Sequence, residues 1–341
     1  MSNADAHQHF LKGHGWGNAV VTALPSDASF RQYHRLQAGE RRALLMDAPP
    51  DREDIKAYVA IARHLVAMGF SAPDILALDE AAGLAVIEDF GDGTYTRLLN
   101  DGADPVTLYE LAIDVLAGLH GQGDAERVEV PFYGQDKLLQ EASLLVDWYR
   151  PAMTRQSTPD GVRRSYMDAW RAVFDSLPAG PTTLVLRDYH VDNLMLLEGR
   201  DGVARVGLLD FQDAVRGHPS YDLVSLLEDA RRDVPDDISD AMKNRYRAAQ
   251  PSLADDTLGP WYAILGVQRH AKIAGIFVRL AVRDGKPVYL PHIPRTMRLL
   301  ARHLEAPELA PIKSWFDAHM PPVEQALPPI APEAIRQLIT V

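Results

Sequence analysis

The sequence predicts an α+β chain whose first part is built of short strands with one helix and whose larger remainder is mostly helical. Two observations carry the division. Between residues 16 and 87 the apolar residues come in brief runs broken by turn formers, with one stretch of helical period among them. Beyond residue 93 they recur three and four positions apart over long stretches, the mark of helices with one buried face. A third observation supplies the centre: residues 184–213 read LVLRDYHVDNLMLLEGRDGVARVGLLDFQD. There two apolar runs, 193–197 and 203–209, flank the turn-forming EGRDG, which predicts a β-hairpin.

In chain order, residues 16–48 read as short strands, with Ser26, Asp27, Ala28 and Ser29 at a turn before an alternating Phe30, Tyr33 and Leu36. The backbone N–H groups of such a tip can approach phosphates, and Arg31 could add charge there; an ordinary surface hairpin fits this stretch equally well. No G-x-G-x-x-G stands here. Residues 51–68 predict an amphipathic helix capped by Asp51 and ended by Gly69, with Ile55, Tyr58, Val59, Ala62, Leu65 and Val66 on its apolar face. A strand pair follows over 75–78 and 83–87. Glu88-Asp89-Phe90-Gly91-Asp92-Gly93 then reads as a linker, which divides the chain into residues 1–87, a hinge over 88–93, and 94–341.

Asp104-Pro105 predicts a capped helix start, with Val106, Leu108, Leu111, Ala112, Val115, Leu116 and Leu119 as its buried stripe. Helices are expected over 137–149, ended by Pro151, and over 162–177. After the hairpin they are expected from Tyr221 with Ser220 as cap, near 241–249 and over 261–282. The proline-rich end reads as a surface tail with a short last helix.

Composition narrows the chemistry. The 341 residues hold 47 acidic and 35 basic side chains, a net charge of −12, which argues against a nucleic-acid or anionic-lipid partner. Any polyanion the chain handles needs a local cation. With no cysteine, disulfides, thiolate zinc sites and cysteine nucleophiles are excluded. The polar, His-rich start shows no secretory signal, and no apolar run approaches the ~20 residues of a spanning helix. The expectation is a cytoplasmic protein without a membrane or protein partner.

The hairpin carries the chemistry. Asn193 follows Asp188 by five positions, as in the D-x-x-x-x-N of a kinase catalytic loop, and Asp210 opens a D-F-x element across the hairpin. One carboxylate can orient and deprotonate a hydroxyl, while the amide and second carboxylate are hard oxygen ligands for Mg²⁺ on ATP phosphates. A plain hairpin also favours Asp and Asn at its ends, but it does not require the acid, the amide and Asp-Phe at these offsets together.

The segments DYHVDNLM, DFQDAVRGHPSYDLVSLL and VQRHAKIAGIFVRL, with PSDASFRQYHRL and LLMDAPP, resemble the aminoglycoside phosphotransferase superfamily of small-molecule kinases over nearly the whole chain. Within it, the run 210–227 and VQRHAKIAGIFVRL resemble the kinases of the anomeric hydroxyl of N-acetylated amino sugars in cell-wall recycling. The resemblance implies a protein-kinase-like bilobal fold with ATP and Mg²⁺. It implies Asp188 as catalytic base, Asn193 and Asp210 as metal ligands, and His190 as loop support or substrate contact. ATP contacts are then expected at Ser26, Ala28, Phe30, Arg31, Glu88 and Phe90. Asp213, Arg216, Gln268, Arg269 and Lys272 are polar candidates for the sugar, with Trp261 or Tyr262 as stacking surface, and Asp222 would brace the site. Two departures stand out: Leu186 replaces the histidine two places before the base, and Met46 and Asp47 stand where a strand lysine is expected, which leaves Lys56 or Arg31 to meet the phosphates. Rival readings are an aminoglycoside or amino-alcohol kinase, a nucleotide-binding pseudokinase, and a metal hydrolase built on His190, Asp192, Asp210 and His218.

Overall fold

Residues 3–25, 30–123, 127–250, 252, 255–322 and 325–339 are described by a computed structural model. Its first element, α1 (Asn3–Gly13), lies in a stretch whose polarity gave no sign of a helix. The stretch buries only Phe10 and Leu11, which pack with Trp16 against Leu36, Leu45, Leu84 and Val86. The strands β1 (Val20–Ala23), β2 (Gln32–Ala38) and β3 (Arg41–Asp47) follow, then α2 (Ile55–Ala67), β4 (Ile75–Asp79) and β5 (Leu84–Ile87). They form one antiparallel sheet in the order β1-β2-β3-β5-β4.

The cap of α2 is Asp54, whose carboxylate accepts the N–H groups of Lys56 and Ala57, and not Asp51. The intervening residues are spent on a turn in which the Arg52 and Glu53 N–H groups bond the Pro49 carbonyl. Val66, expected on the apolar face, is exposed. α3 (Tyr95–Asn100) starts at a Thr94 cap, and α4 (Pro105–Gly121) starts at Asp104 as the sequence indicates. Val106 falls outside the buried face of α4.

Next come α5 (Gln135–Ala142), a π-helical turn over Leu145–Tyr149, α6 (Arg150–Thr154) and α7 (Asp160–Ser176). Pro151 therefore does not stop the chain's helical course: it sits in the first turn of α6, behind a widened turn that loosens the spacing a proline ring would otherwise violate. β6 (Thr183–Val185) leads to the hairpin β7 (Leu194–Leu196) and β8 (Val206–Leu208), and β9 (Val215–Gly217) returns antiparallel to β6. The hairpin is shorter than its apolar runs suggest, because Gly202–Arg205 forms a 3₁₀ turn.

α8 (Ser220–Leu227), α9 (Asp236–Ala249), α10 (Asp255–Arg283), α11 (Ile293–His303), α12 (Ala310–His319) and α13 (Pro332–Arg336) complete the chain. Ser220 lies inside α8 and makes no side-chain cap; the ring of His218 takes that role, with Nδ1 accepting the Ser220 N–H at 3.2 Å. α11 and α12 went unread in the sequence, each being introduced by a proline that looks like a break but suits the first helical turn.

By packing, the chain divides into one unit of residues 1–129 and 186–214 and another of 130–185 and 215–341. The hairpin β7–β8 thus groups with the sheet-bearing segment, whereas the sequence pattern changes at 88–93. In the first unit the sheet buries its core residues against α1, and Tyr58 of α2 stacks on Phe211 with ring centroids 5.0 Å apart. In the second, α10 is the axis: Ile264, Val267, Ala271, Ala274 and Val278 pack among Leu145, Trp170, Leu300 and Trp315. The described end of the chain is mostly exposed or half-buried and carries the expected short helix, α13, but Ile335 is fully buried in that core and Arg336 Nε donates to the Val282 carbonyl at 3.0 Å.

Two features of the second unit make its stability testable. At Gly275 of α10 a Cβ would lie 2.2 Å from the Leu144 carbonyl oxygen, so Gly275→Ala forces backbone apart. We expect it to cost roughly 2–4 kcal/mol, seen as a lower urea midpoint. Glu228 is buried just beyond α8 and accepts from Nε2 of His270 and of His303, each at 2.8 Å. Burial alone would raise its carboxyl pKa, but the two imidazole donors outweigh that and hold it far below the usual carboxylate range. The folded state thus binds fewer protons at Glu228 than the unfolded chain, so this stability is full above about pH 4.3 and drains as pH falls further. Glu228→Gln should cost roughly 2–4 kcal/mol at neutral pH, and its deficit in melting temperature should shrink between about pH 5 and pH 3; a constant deficit would contradict the assignment.

Candidate active site

The loop between β6 and β7 is shaped mainly by its own backbone. The Asp188 N–H bonds the Leu186 carbonyl at 2.9 Å, His190 N–H bonds Asp188 at 3.2 Å, and Asn193 N–H bonds His190 at 2.9 Å. Asn193 Nδ2 then donates to the Asp188 carbonyl at 2.9 Å, which commits the amide's nitrogen and leaves its oxygen as the end suited to a cation. On the other strand Leu209 N–H bonds the Asn193 carbonyl at 3.0 Å, one step past the Leu194–Leu208 pair. That register sets Asn193 opposite Leu209, the residue before Asp210.

Two residues missed in the sequence hold the loop down. Tyr189, buried, donates its hydroxyl to the Ala112 carbonyl of α4 at 2.8 Å. Arg187 has a positive φ of 69° and its guanidinium reaches the Asp213 carbonyl at 3.4 Å, joining the turn before Asp188 to the segment after Asp210. The pairing of an arginine with the following acid was the available signal. His190 is buried, with Nε2 3.5 Å from Asn193 Nδ2 and Nδ1 4.0 Å from Asp192, a setting that favours loop support over substrate contact. Asp192 in turn accepts from the Thr96 hydroxyl of α3.

Asp210 also adopts a positive φ, 56°, a conformation unusual for a residue other than glycine, and it is followed by the fully buried Phe211 on Tyr58. Its Oδ1 accepts from Arg31 Nη2 at 2.6 Å and from Gln212 Nε2 at 3.1 Å. Arg31 lies next to Glu53 as well, Nε to Oε2 3.7 Å, and Glu53 Oε1 accepts the Phe30 N–H at 3.2 Å. Burial works to lower the Arg31 pKa, but neighbouring Tyr33, Asp210 and Glu53 raise it on balance, so the guanidinium stays charged. Of the expected phosphate contacts, Ser26 and Ala28 lie outside the described residues, and Phe30 is exposed under the Arg52 guanidinium, 4.7 Å from its ring.

The segment 88–93 is fastened by side chains. Glu88 pairs with Arg200 in the hairpin turn, whose Nη1 also reaches Ser71 Oγ at 2.7 Å. Phe90 rests on Gly207 of β8, where a Cβ would come within 2.7 Å of the ring; a glycine in mid-strand is the sequence trace of that approach. Arg35 of β2 clamps Asp89 and Asp92 at 2.8 and 3.0 Å. The side chains of Glu88 and Phe90 are therefore committed to the fold, and only the backbone of this segment suits the adenine edge.

The candidate sugar contacts divide by unit. Asp213, exposed, stays with the hairpin. Arg216 of β9 is exposed in the second unit, its guanidinium 5.5 Å from the Phe132 ring. Gln268, Arg269 and Lys272, expected as polar contacts to the sugar, are tied to other parts of the second unit instead. They are buried on α10, where Gln268 donates to the Leu138 carbonyl at 3.1 Å, Arg269 to Ser225 Oγ at 2.7 Å, and Lys272 pairs with Glu141 at 3.0 Å. Gly275, on the same face, serves close packing. Asp222 is fully buried in the first turn of α8, and Tyr262 is buried too. Trp261 stacks on His218 with centroids 4.5 Å apart and lines a 230 Å³ pocket of the second unit with Phe132, Tyr133 and Tyr221.

One amide and one carboxylate from the hairpin fit a hard cation that takes its other ligands from phosphate and water. The described residues hold no group of three or more His, Cys, Asp or Glu placed to bind a metal ion. Nor do they hold a helix long and apolar enough to cross a membrane.

A five-stranded antiparallel sheet with one helix, followed by a loop bearing Asp188 and Asn193 and a hairpin ending at Asp210, defines a protein-kinase-like phosphotransferase. The pattern of the phosphotransferase enzyme family APH matches residues 20–255, and the chain belongs to that family. It is 38% identical to an N-acetylmuramate/N-acetylglucosamine kinase of Caulobacter vibrioides, across 92% of this chain and 95% of that protein. A kinase of the same description from Pseudomonas aeruginosa is 37% identical, across 87% and 88%. Among solved structures, choline kinase LicA from Streptococcus pneumoniae shares the fold, with a TM-score of 0.62 at 13% identity over 88% of this chain and all (100%) of that one.

The stacked pair beneath Asp210 yields a prediction. Phe211→Ala should destabilise the protein by roughly 3–5 kcal/mol and reduce phosphotransfer more than nucleotide affinity, because Asp210 loses its anchor. Thermal melts alongside steady-state kinetics check both halves; a variant with native stability and rate contradicts the anchoring role.

Proposed function

We propose that this protein transfers the γ-phosphoryl group of ATP to the anomeric hydroxyl of an N-acetylated amino sugar, N-acetylmuramate or N-acetylglucosamine, giving a sugar 1-phosphate in the cytoplasm. The observation that carries the chemistry is the hairpin register that sets Asn193 opposite Leu209, one residue before Asp210, while the Asn193 amide is bonded to the Asp188 carbonyl. The acceptor is supported by the 38% identity, nearly end to end, with a kinase that bears those two sugars in its name. The lobes of this reading are residues 1–87 and 94–341, joined at 88–93.

In this mechanism Asp188 accepts a hydrogen bond from the sugar's C1 hydroxyl, aims its oxygen at the γ-phosphorus, and takes its proton as the new P–O bond forms and the bond to the β-phosphate oxygen breaks. Asn193, through its amide oxygen, and Asp210, through its carboxylate, would hold Mg²⁺, which when bound neutralises charge on the β- and γ-phosphates. His190 and Tyr189 keep the loop in shape, and Leu186 is buried where kinases carry a histidine. Phosphoryl transfer asks chiefly for alignment and charge neutralisation, so this small set of groups is sufficient in outline.

An ADP-release screen over N-acetylmuramate, N-acetylglucosamine, an aminoglycoside and choline, with the product's phosphate position read by phosphorus NMR, tests the acceptor. Turnover confined to the last two rejects the amino-sugar assignment. Asp188→Asn should lower kcat by roughly 10²–10⁴-fold with nucleotide affinity nearly unchanged. Near-native turnover in that variant removes Asp188 as base.

A further inference from the structure

A kinase must meet its triphosphate with fixed positive charge, and a chain of net charge −12 has to supply it locally. At the strand position where a lysine is expected stands Met46, fully buried, followed by Asp47, whose carboxylate is bonded to His7 at 2.9 Å. Lys56 does not replace it: its side chain is 72% exposed and lies 3.7 Å from Glu80. Arg35 is taken by Asp89 and Asp92, and Arg52 pairs with Asp51 at the surface.

Arg31 differs from all of these. Its side chain is 6% exposed, and it lies between Asp210 at 2.6 Å and Glu53 at 3.7 Å. The sheet register shows why it can serve the vacant position. Tyr33 of β2 lies opposite Met46 of β3, so the two side chains share a face. Arg31 immediately precedes β2, and its buried guanidinium is turned to Asp210. The charge absent from one strand is thus offered from its neighbour. Glu53 fixes it twice over, by its contact with the guanidinium and by accepting the N–H of the preceding residue, Phe30.

We propose that Arg31 is the phosphate-binding cation of this kinase and that Glu53 is its positioning residue, the pair standing in for a strand lysine and helix glutamate; the proposal rests on the kinase reading above. In the structure Arg31 and Asp210 neutralise each other. With nucleotide present, Asp210 turns its carboxylate to a cation and the Arg31 fork passes to phosphate oxygens, so that the buried guanidinium is not left uncompensated. A planar guanidinium also makes paired hydrogen bonds to phosphate that a lysine cannot.

The test is a binding panel of ATP, ADP and adenosine, with and without Mg²⁺, measured by calorimetry on wild type, Arg31→Met, Arg31→Lys and Glu53→Gln, each also melted thermally. Arg31→Met should weaken ATP and ADP by roughly 10- to 100-fold while adenosine stays within about twofold, as expected for loss of a charged hydrogen bond to phosphate. Arg31→Lys should recover part of the loss, and Glu53→Gln should show a smaller loss of the same kind. If Arg31→Met keeps the wild-type preference for ATP over adenosine, or loses both ligands equally, Arg31 is not the phosphate cation. If wild type itself binds ATP no better than adenosine, the kinase reading falls first.

Discussion

The hydrogen bond from the Leu209 N–H to the Asn193 carbonyl closes the hairpin, and the chemistry proposed for the chain depends on it. It continues a ladder only three pairs long, and it sets Asn193 opposite the residue before Asp210. Shifting the register by one residue would turn every side chain of one strand to the other face. So short a ladder needs help from outside, and Ser71 provides it: its carbonyl accepts the Leu208 N–H at 2.7 Å, and its hydroxyl donates to Ala204 at 2.6 Å. The segment following α2 therefore acts as a third strand in all but name.

Strain is concentrated at the same place. Arg187 and Asp210 both hold positive φ, and such residues cost of order 1 kcal/mol or more each unless their surroundings impose the shape. Here the surroundings do so: Phe211 is packed on Tyr58, and the Arg187 guanidinium is bonded across to Asp213. The outcome is a pair of side chains aimed by backbone geometry that relaxed strands would not adopt.

The sequence disclosed the hairpin, the strand-rich start and most long helices because each has a local cause: an apolar period, a capping Asp at 104, a turn-forming EGRDG. It was silent where the cause is distant. The docking of Ile335 and the burial of Gln268, Arg269 and Lys272 arise from contacts with remote parts of the chain. A polar residue at helical spacing reads the same whether it faces solvent or closes a buried network. At the proposed site, Asp188, Asn193 and Asp210 are named from spacing alone. The proposed choice of Arg31 over Lys56 is not, since it rests on which side chain is buried beside Asp210.

The burial of Ile335 has a consequence for biosynthesis. The second unit is assembled from two stretches of chain, with β6 pairing only with a strand made some thirty positions later and α10 waiting for α13 to cover it. Until Ile335 emerges from the ribosome, apolar surface on a nearly finished unit stays open to water. This half of the molecule should therefore acquire its native packing only after α13 has been made, and nascent chains halted before Ile335 should be the ones that chaperones retain.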